Sequence, residues 1–158
     1  MKLDRILVPI DFSETAEHAL DYARDLAQMF GAEVHLLHVV PDPVAQGWAG
    51  EATGMVIPDL LRTWEADSDQ RLQDIAIEGV TVERVTAVGH DFVEILKYAS
   101  GNGIDLIVMG THGRGAVKHM LLGSVAEKIV RKAPCPVLTV RHPGYEFIMP
   151  TMPVMTVA

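Results

Sequence analysis

Five short apolar runs, separated by stretches with helical periodicity, constrain this chain more than any other feature. Arg5 to Ile10, Val34 to Val40, Ile104 to Met109 and Val137 to Val140 are near-continuous apolar segments. Such segments suit strands buried on both faces, as in a parallel sheet. Val80 to Val88 alternates in part and reads as an edge strand. Between the first two runs, Ala16, Ala19, Leu20, Ala23, Leu26, Ala27 and Phe30 recur at helical spacing, with Ser13 as N-cap and Gly31 as stop. A second helix is expected from about Pro58 to Ile77, with Leu61, Trp64, Leu72 and Ile75 inward. A third begins at the capping pair Asp91 and Glu94 and buries Phe92, Ile95, Leu96 and Ala99. A fourth turns Val125, Ala126, Ile129, Val130 and Ala133 inward. Alternating strands and helices predict βαβ units around one parallel sheet, with ligands bound beyond the C-terminal strand ends. Asp11, Val39 and Gly110 stand at such ends.

The 158 residues suffice for a single domain. Thirteen Lys and Arg against 21 Asp and Glu give a net charge of −8, which argues against a uniform nucleic-acid-binding face. The one cysteine, Cys135, rules out an internal disulfide and fits a reducing compartment. No apolar run approaches the roughly 18 residues of a membrane span. The opening Met1-Lys2-Leu3-Asp4-Arg5 does not read as a secretion signal. The expectation is a cytoplasmic protein that binds neither nucleic acid nor membrane.

The segment Gly110 to Ser124 lies between the fourth apolar run and the last helix. Strand, glycine loop and helix start make a plausible phosphate cradle. Two familiar templates fail there. Gly110 and Gly115 have P-loop spacing, but Ala116 and Val117 replace the required Lys and Ser/Thr. Gly113-Arg114-Gly115 begins a dinucleotide fingerprint, but Lys118 replaces its third glycine.

What remains is Gly110-x-x-Gly113, nine residues, then Gly123-Ser124. With this spacing, the chain resembles the universal stress protein family over about residues 1–141. The other matching fragments are Val8-Pro9-Ile10-Asp11-Phe12-Ser13, Leu37-His38-Val39, Leu122-Gly123-Ser124-Val125-Ala126 and Pro134-Cys135-Pro136-Val137-Leu138. The resemblance implies an α/β fold: an open, twisted, five-stranded parallel sheet of order 3-2-1-4-5, with helices on both faces. It implies ATP, AMP or ADP at the strand ends, with Mg²⁺ or Mn²⁺ carried on the phosphates. By the same resemblance, Asp11 accepts a hydrogen bond from ribose or adenine, and Pro9 and Ile10 wall that pocket. Val39 holds the adenine edge through its backbone, while Met109 and Gly110 pass along sugar and phosphates. Gly113, Gly123, Ser124 and Val125 offer N–H groups to the phosphates, and His112 and Arg114 add positive charge. The fifth strand, residues 137–140, is implied to pair with its mate in a homodimer.

Structural readings stand beside these. Ser124 with Glu127 is itself a capping-box signature, and Gly113 and Gly115 serve equally well in a tight turn. Asp11 could cap the first helix or orient its loop through an Asx-turn. His35 and His38, three apart on a strand, point to opposite faces and cannot share a metal ion. No protein metal site and no catalytic nucleophile is expected. Residues 42 to 57 read as a mobile loop, and residues 142–158, with Pro143, Pro150 and Pro153, as a disordered or extended arm. The functional expectation is a nucleotide-binding regulatory module with at most slow ATP hydrolysis or autophosphorylation, open to a protein partner. The competing readings are a nucleotidyl-transfer or hydrolytic enzyme on the same fold, and a nucleotide-free partner-binding scaffold.

Overall fold

The computed structural model describes residues 2–43, 57–112 and 122–144. Among these residues nine elements follow one another: β1 (Arg5–Pro9), α1 (Glu14–Phe30), β2 (Glu33–Pro41), α2 (Ile57–Asp74), β3 (Val82–Gly89), α3 (Asp91–Gly101), β4 (Leu106–Gly110), α4 (Ser124–Lys132) and β5 (Val137–Val140). They build one five-stranded sheet of order β3-β2-β1-β4-β5, parallel throughout. The expected sheet order is therefore the observed one, and the partly alternating segment forms an edge strand.

Side-chain alternation divides the core into two halves. Ile6, Val8, Leu36 and Val108 pack with Ala19, Ala23 and Leu72 of α1 and α2. Leu7, Leu37, Ile107 and Met109 pack with Ile95, Ala99, Ala126 and Ile129 of α3 and α4. Each central strand thus buries both faces, which is why its sequence shows no polar alternation. His35 and His38 obey the same alternation. His35 Nδ1 lies 2.8 Å from the Tyr98 hydroxyl of α3. His38 stacks at 4.6 Å on Phe12, which packs with the other half.

Several ends differ from expectation, each for a local reason. α2 stops at Asp74, because Arg84 of β3 donates to the Leu72 and Ile75 carbonyls at 2.9 and 2.8 Å. That guanidinium satisfies carbonyls that the helix itself leaves open. Among the described residues of α2 only Ser68 and Leu72 are buried, while Leu61 and Trp64 are half-covered. Phe30 and Val130 are exposed rather than inward. Phe30 is the last residue before the left-handed Gly31 cap, and Val130 lies on the flank of the stripe formed by Ala126 and Ile129. The Asp91–Glu94 cap is also not formed. His90 is the N-cap and makes no side-chain bond there, while Glu94 pairs with Lys97 at 2.7 Å. Residues 44–56 and 145–158, and with them most of the expected loop and arm, lie outside the described residues.

At the N-terminal ends of the strands, opposite the ligand-binding ends, Asp105 ties the start of β4 to the start of β1. Its carboxylate accepts from the backbone N–H groups of Asp4 and Arg5 at 2.8 and 3.0 Å. Those two bonds hold the carboxyl below its ordinary value of 3.8. A depressed carboxyl contributes stability above its unfolded pKa and loses it as pH falls through the folded one. Urea denaturation at pH 7 should therefore show wild type more stable than Asp105→Asn. The gap should narrow as pH falls below about 4, and a gap independent of pH would contradict this assignment.

Candidate functional site

Beyond the C-terminal ends of β1, β2 and β4 lies a cavity of about 480 Å³. Every sequence-derived candidate within the described residues lines it: Pro9, Ile10, Asp11, Val39, Met109, Gly110, His112, Gly123, Ser124 and Val125. Gly113 and Arg114 lie outside the described residues.

The β1 side is set by the turn into α1. The Ile10 N–H donates to the Leu37 carbonyl at 2.8 Å and extends pairing one residue past β1. Asp11 Oδ1 then accepts from the Ser13 N–H at 3.0 Å and from its hydroxyl at 2.5 Å. Ser13 Oγ in turn caps Ala16 N–H at 3.2 Å. Ser13 is therefore the N-cap, and Asp11 orients it through an Asx-turn. Between them Phe12 adopts φ 60°, a left-handed conformation that is strained for a bulky side chain. The ring is clasped by His38 on one side and by the Arg71 guanidinium, 3.8 Å from its centroid. His38 Nδ1 lies 2.6 Å from the Ile10 carbonyl, so that nitrogen carries the proton and donates.

The β2 side presents backbone. β2 runs on to Pro41, whereas β1 ends at Pro9, opposite Leu37. Backbone groups of residues two apart in a strand point the same way. Since Leu37 directs its carbonyl toward Ile10, Val39 directs its N–H and C=O to the same side, past the end of β1 and toward the cavity.

The β4 side is closed by two bonds of Thr111, a buried residue. Its N–H donates to the Val140 carbonyl at 2.8 Å, and its carbonyl accepts from the Gly123 N–H at 2.7 Å. This second bond draws the start of α4 against the end of β4. Gly123, not Ser124, is the N-cap, and Glu127 pairs with Arg131 at 2.8 Å. The Ser124–Glu127 capping box is consequently not formed. The N–H groups of the first turn of α4 have no intrahelical acceptor. The helix dipole adds partial positive charge at the same place. His112 Nδ1 lies 3.1 Å from Thr111 Oγ1, while its Nε2 is buried with no hydrogen-bond partner among the described residues. An orphaned imidazole nitrogen beside an open helix N-terminus suits an anionic group.

Sequence reasoning missed Ala16, Leu37, His38, Pro41, Asp91 and Thr111, which also line the cavity. Asp91 is the chemically important omission. It follows the C-terminal end of β3 directly, so the strand-end rule applied to all strands would have found it. Its surface is open to solvent, yet the surrounding protein pushes its carboxyl up from the ordinary value. Asp11 pushes the same way, against His38, His90 and its own backbone N–H. Cys135 is half-buried, and burial pushes its thiol up, which suits packing and not nucleophilic chemistry.

Comparison with known proteins agrees with this architecture. The universal stress protein family profile matches residues 2–141. A universal stress protein of Methanocaldococcus jannaschii is 34% identical over 143 residues, covering 90% of this chain and 84% of its own. Universal stress protein YxiE of Bacillus subtilis is 36% identical, covering 87% of this chain and 99% of its own. The solved structure of UspA from Lactobacillus plantarum superposes with a TM-score of 0.73 at 29% identity, covering 89% and 99% of the two chains. A universal stress protein from Archaeoglobus fulgidus, solved in complex with dAMP, shares the fold at 24% identity and a TM-score of 0.60, covering 89% and 99%. With matching sequence pattern, sheet order and relatives across nearly its whole length, the chain belongs to the universal stress protein family.

Proposed function

We propose that this chain binds an adenine nucleotide, ATP with AMP or ADP as alternatives, and works as a regulatory module of one domain, residues 1–141. The observation that carries the reading is the composition of the cavity wall. It holds an open helix N-terminus for phosphate at α4, and a backbone donor–acceptor pair for a base edge at Val39. Asp11 lies between them, within reach of a sugar. A 480 Å³ cavity is of the size that small-molecule ligands use. The dAMP held by the Archaeoglobus fulgidus protein of this fold is of the same ligand class.

In this reading Pro9 and Ile10 wall the adenosine, and Met109 and Gly110 flank the sugar and phosphates. Gly123, Ser124 and Val125 supply N–H donors, with His112, Gly113 and Arg114 beside them. A divalent cation, Mg²⁺ or Mn²⁺, rides on the phosphates rather than on a dedicated protein site. The sequence lacks the lysine and hydroxyl of a P-loop, so the site holds nucleotide and turns it over slowly at most. The nucleotide acts by binding one conformation more tightly than another. The direct test is whether the purified chain carries an adenine nucleotide.

The proposal includes a homodimer through β5, in the cytoplasm. Among the described residues β5 ends the sheet and pairs only with β4, and Leu138 on it and Val130 on α4 are exposed. An apolar sheet edge left open invites pairing. Light scattering at micromolar concentration should give twice the chain mass of 17.3 kDa. A monomer there would remove this part of the reading.

A further inference from the structure

The outer flank of α1 carries apolar side chains that the fold leaves in water. His18, Tyr22 and Leu26 are four residues apart, and Met29 and Phe30 lie three and four further on, so all five form one row along the helix. Among the described residues, five large apolar side chains are exposed, and three of them are in this row: Tyr22, Met29 and Phe30. One exposed apolar residue is ordinary, whereas a contiguous row marks a surface that something covers. The opposite flank of α1, with Glu17, Leu20 and Asp21, faces Arg71 and Asp74 of α2 across a groove. α2 covers β2 and β3, while α1 reaches over β4 and β5. The row is therefore turned away from α2 and toward β5. Exposed Leu138 of β5 borders it. Leu138 faces the α1 side, because Val140, two residues on, packs in that half of the core.

The chain itself returns to the head of this row. His142, just past β5, accepts the Gly144 N–H on Nδ1 at 3.0 Å and donates from Nε2 to Glu14 Oε2 at 3.1 Å. Both ring nitrogens are engaged, so the chain at Gly144 is held at the first turn of α1. Glu14 stands one turn before His18 in the same row. Residues 145–158 follow, outside the described residues. They include one charged side chain, Glu146, and are otherwise mostly apolar. Tyr145, Phe147 and Met149 alternate with their neighbours, so an extended chain turns all three to one side. Pro150 and Pro153 bar a regular helix there. From Glu14 to Phe30 the helix is about 24 Å long, a distance that about eight extended residues span. The segment 145–158 is long enough to run the whole row, and burying its apolar side against Tyr22, Met29 and Phe30 removes both surfaces from water.

We propose that the outer flank of α1 is the docking surface for residues 145–158 of the same chain, an intramolecular strap anchored by His142 and Glu14. The strap covers Tyr22, Met29 and Phe30 and leaves the hydrogen-bonding edge of β5 free. This inference is independent of the nucleotide reading above. Met29 reports on it directly, because it is 77% exposed without the strap and a thioether in water is open to oxidation by hydrogen peroxide. The full chain is treated with peroxide, folded and in urea, and sulfoxide at Met29 is followed by peptide mass spectrometry. Met29 of the folded wild type should react about fivefold or more slowly than in the unfolded chain, the protection given by a local opening equilibrium that lies even modestly to the docked side. The full-length double variant Phe147→Ser, Met149→Ser should lose that protection. Met109, which is buried, should stay protected in the variant and so report that its core is intact. Wild-type Met29 that reacts as fast folded as unfolded overturns the proposal without any variant. Protection that persists in the double variant overturns it too. Protection that disappears as wild type is diluted through the micromolar range assigns the cover to a second copy of the chain and overturns the intramolecular strap.

Discussion

Gly110→Ala should lose about 1–3 kcal/mol of stability, the usual cost of overpacking a tight contact. For a chain of this size that lowers the melting temperature by roughly 2–4 °C per kcal/mol. The cause is the approach of α1 to the end of β4. A Cβ at Gly110 would stand 2.7 Å from Thr15 Cγ2 and 3.2 Å from the backbone carbonyl carbon of Thr15. Thr15 is buried in the first turn of α1, so neither partner can swing into solvent. The nearest atom is a side-chain methyl, which gives the account a second check. Thr15→Ser removes that methyl and should recover part of the loss in the Gly110→Ala background, although it costs stability on its own. Additive losses in the double variant would show that the contact is not what requires glycine.

Gly123→Val should abolish nucleotide binding, with at least about a hundredfold loss of affinity if two or more phosphate hydrogen bonds are disturbed together. Gly123 has φ −69° and ψ 158°, a conformation open to any residue, so backbone freedom is not the reason for glycine here. The reason is proximity: a Cβ would lie 3.1 Å from the Thr111 carbonyl oxygen and 3.6 Å from His112 Cα. The same carbonyl accepts the Gly123 N–H at 2.7 Å. A branched side chain forces these apart, which moves the first turn of α4 and the Thr111–His112 wall together. Gly123→Ala should show the same effect more weakly. A Gly123→Val protein that folds and binds ATP as tightly as wild type would sever α4 from the phosphate site.

The sheet was legible because a central parallel strand needs apolar residues on both faces, and few other elements produce four such runs and a partly alternating fifth between helical stretches. Ser13 and Gly31 marked the ends of α1 by chemistry local to each cap, so both appear where expected. The errors came where a distant group decides the outcome. Arg84 ends α2 from another element, and no pattern within 58–77 announces it. Glu94 and Glu127 match capping signatures, but each reaches a basic residue one turn on in its own helix, Lys97 and Arg131. At the site, the glycine spacing drew attention to the β4–α4 side and away from β3. Asp91 carries no motif, and only its place just past the end of β3 could have pointed to the cavity wall it lines. The structure also divides the roles of the glycines: Gly110 admits α1, and Gly123 admits Thr111, before either meets a ligand.

The central claim is that this cavity holds an adenine nucleotide. Mass spectrometry of small molecules released by denaturing the purified protein tests it most directly, both as isolated and after incubation with millimolar ATP and Mg²⁺ followed by rapid desalting. The account predicts close to one equivalent of an adenine nucleotide per chain from wild type and none from Gly123→Val. Wild-type protein that releases no nucleotide under either condition, or the same amount as Gly123→Val, would contradict it.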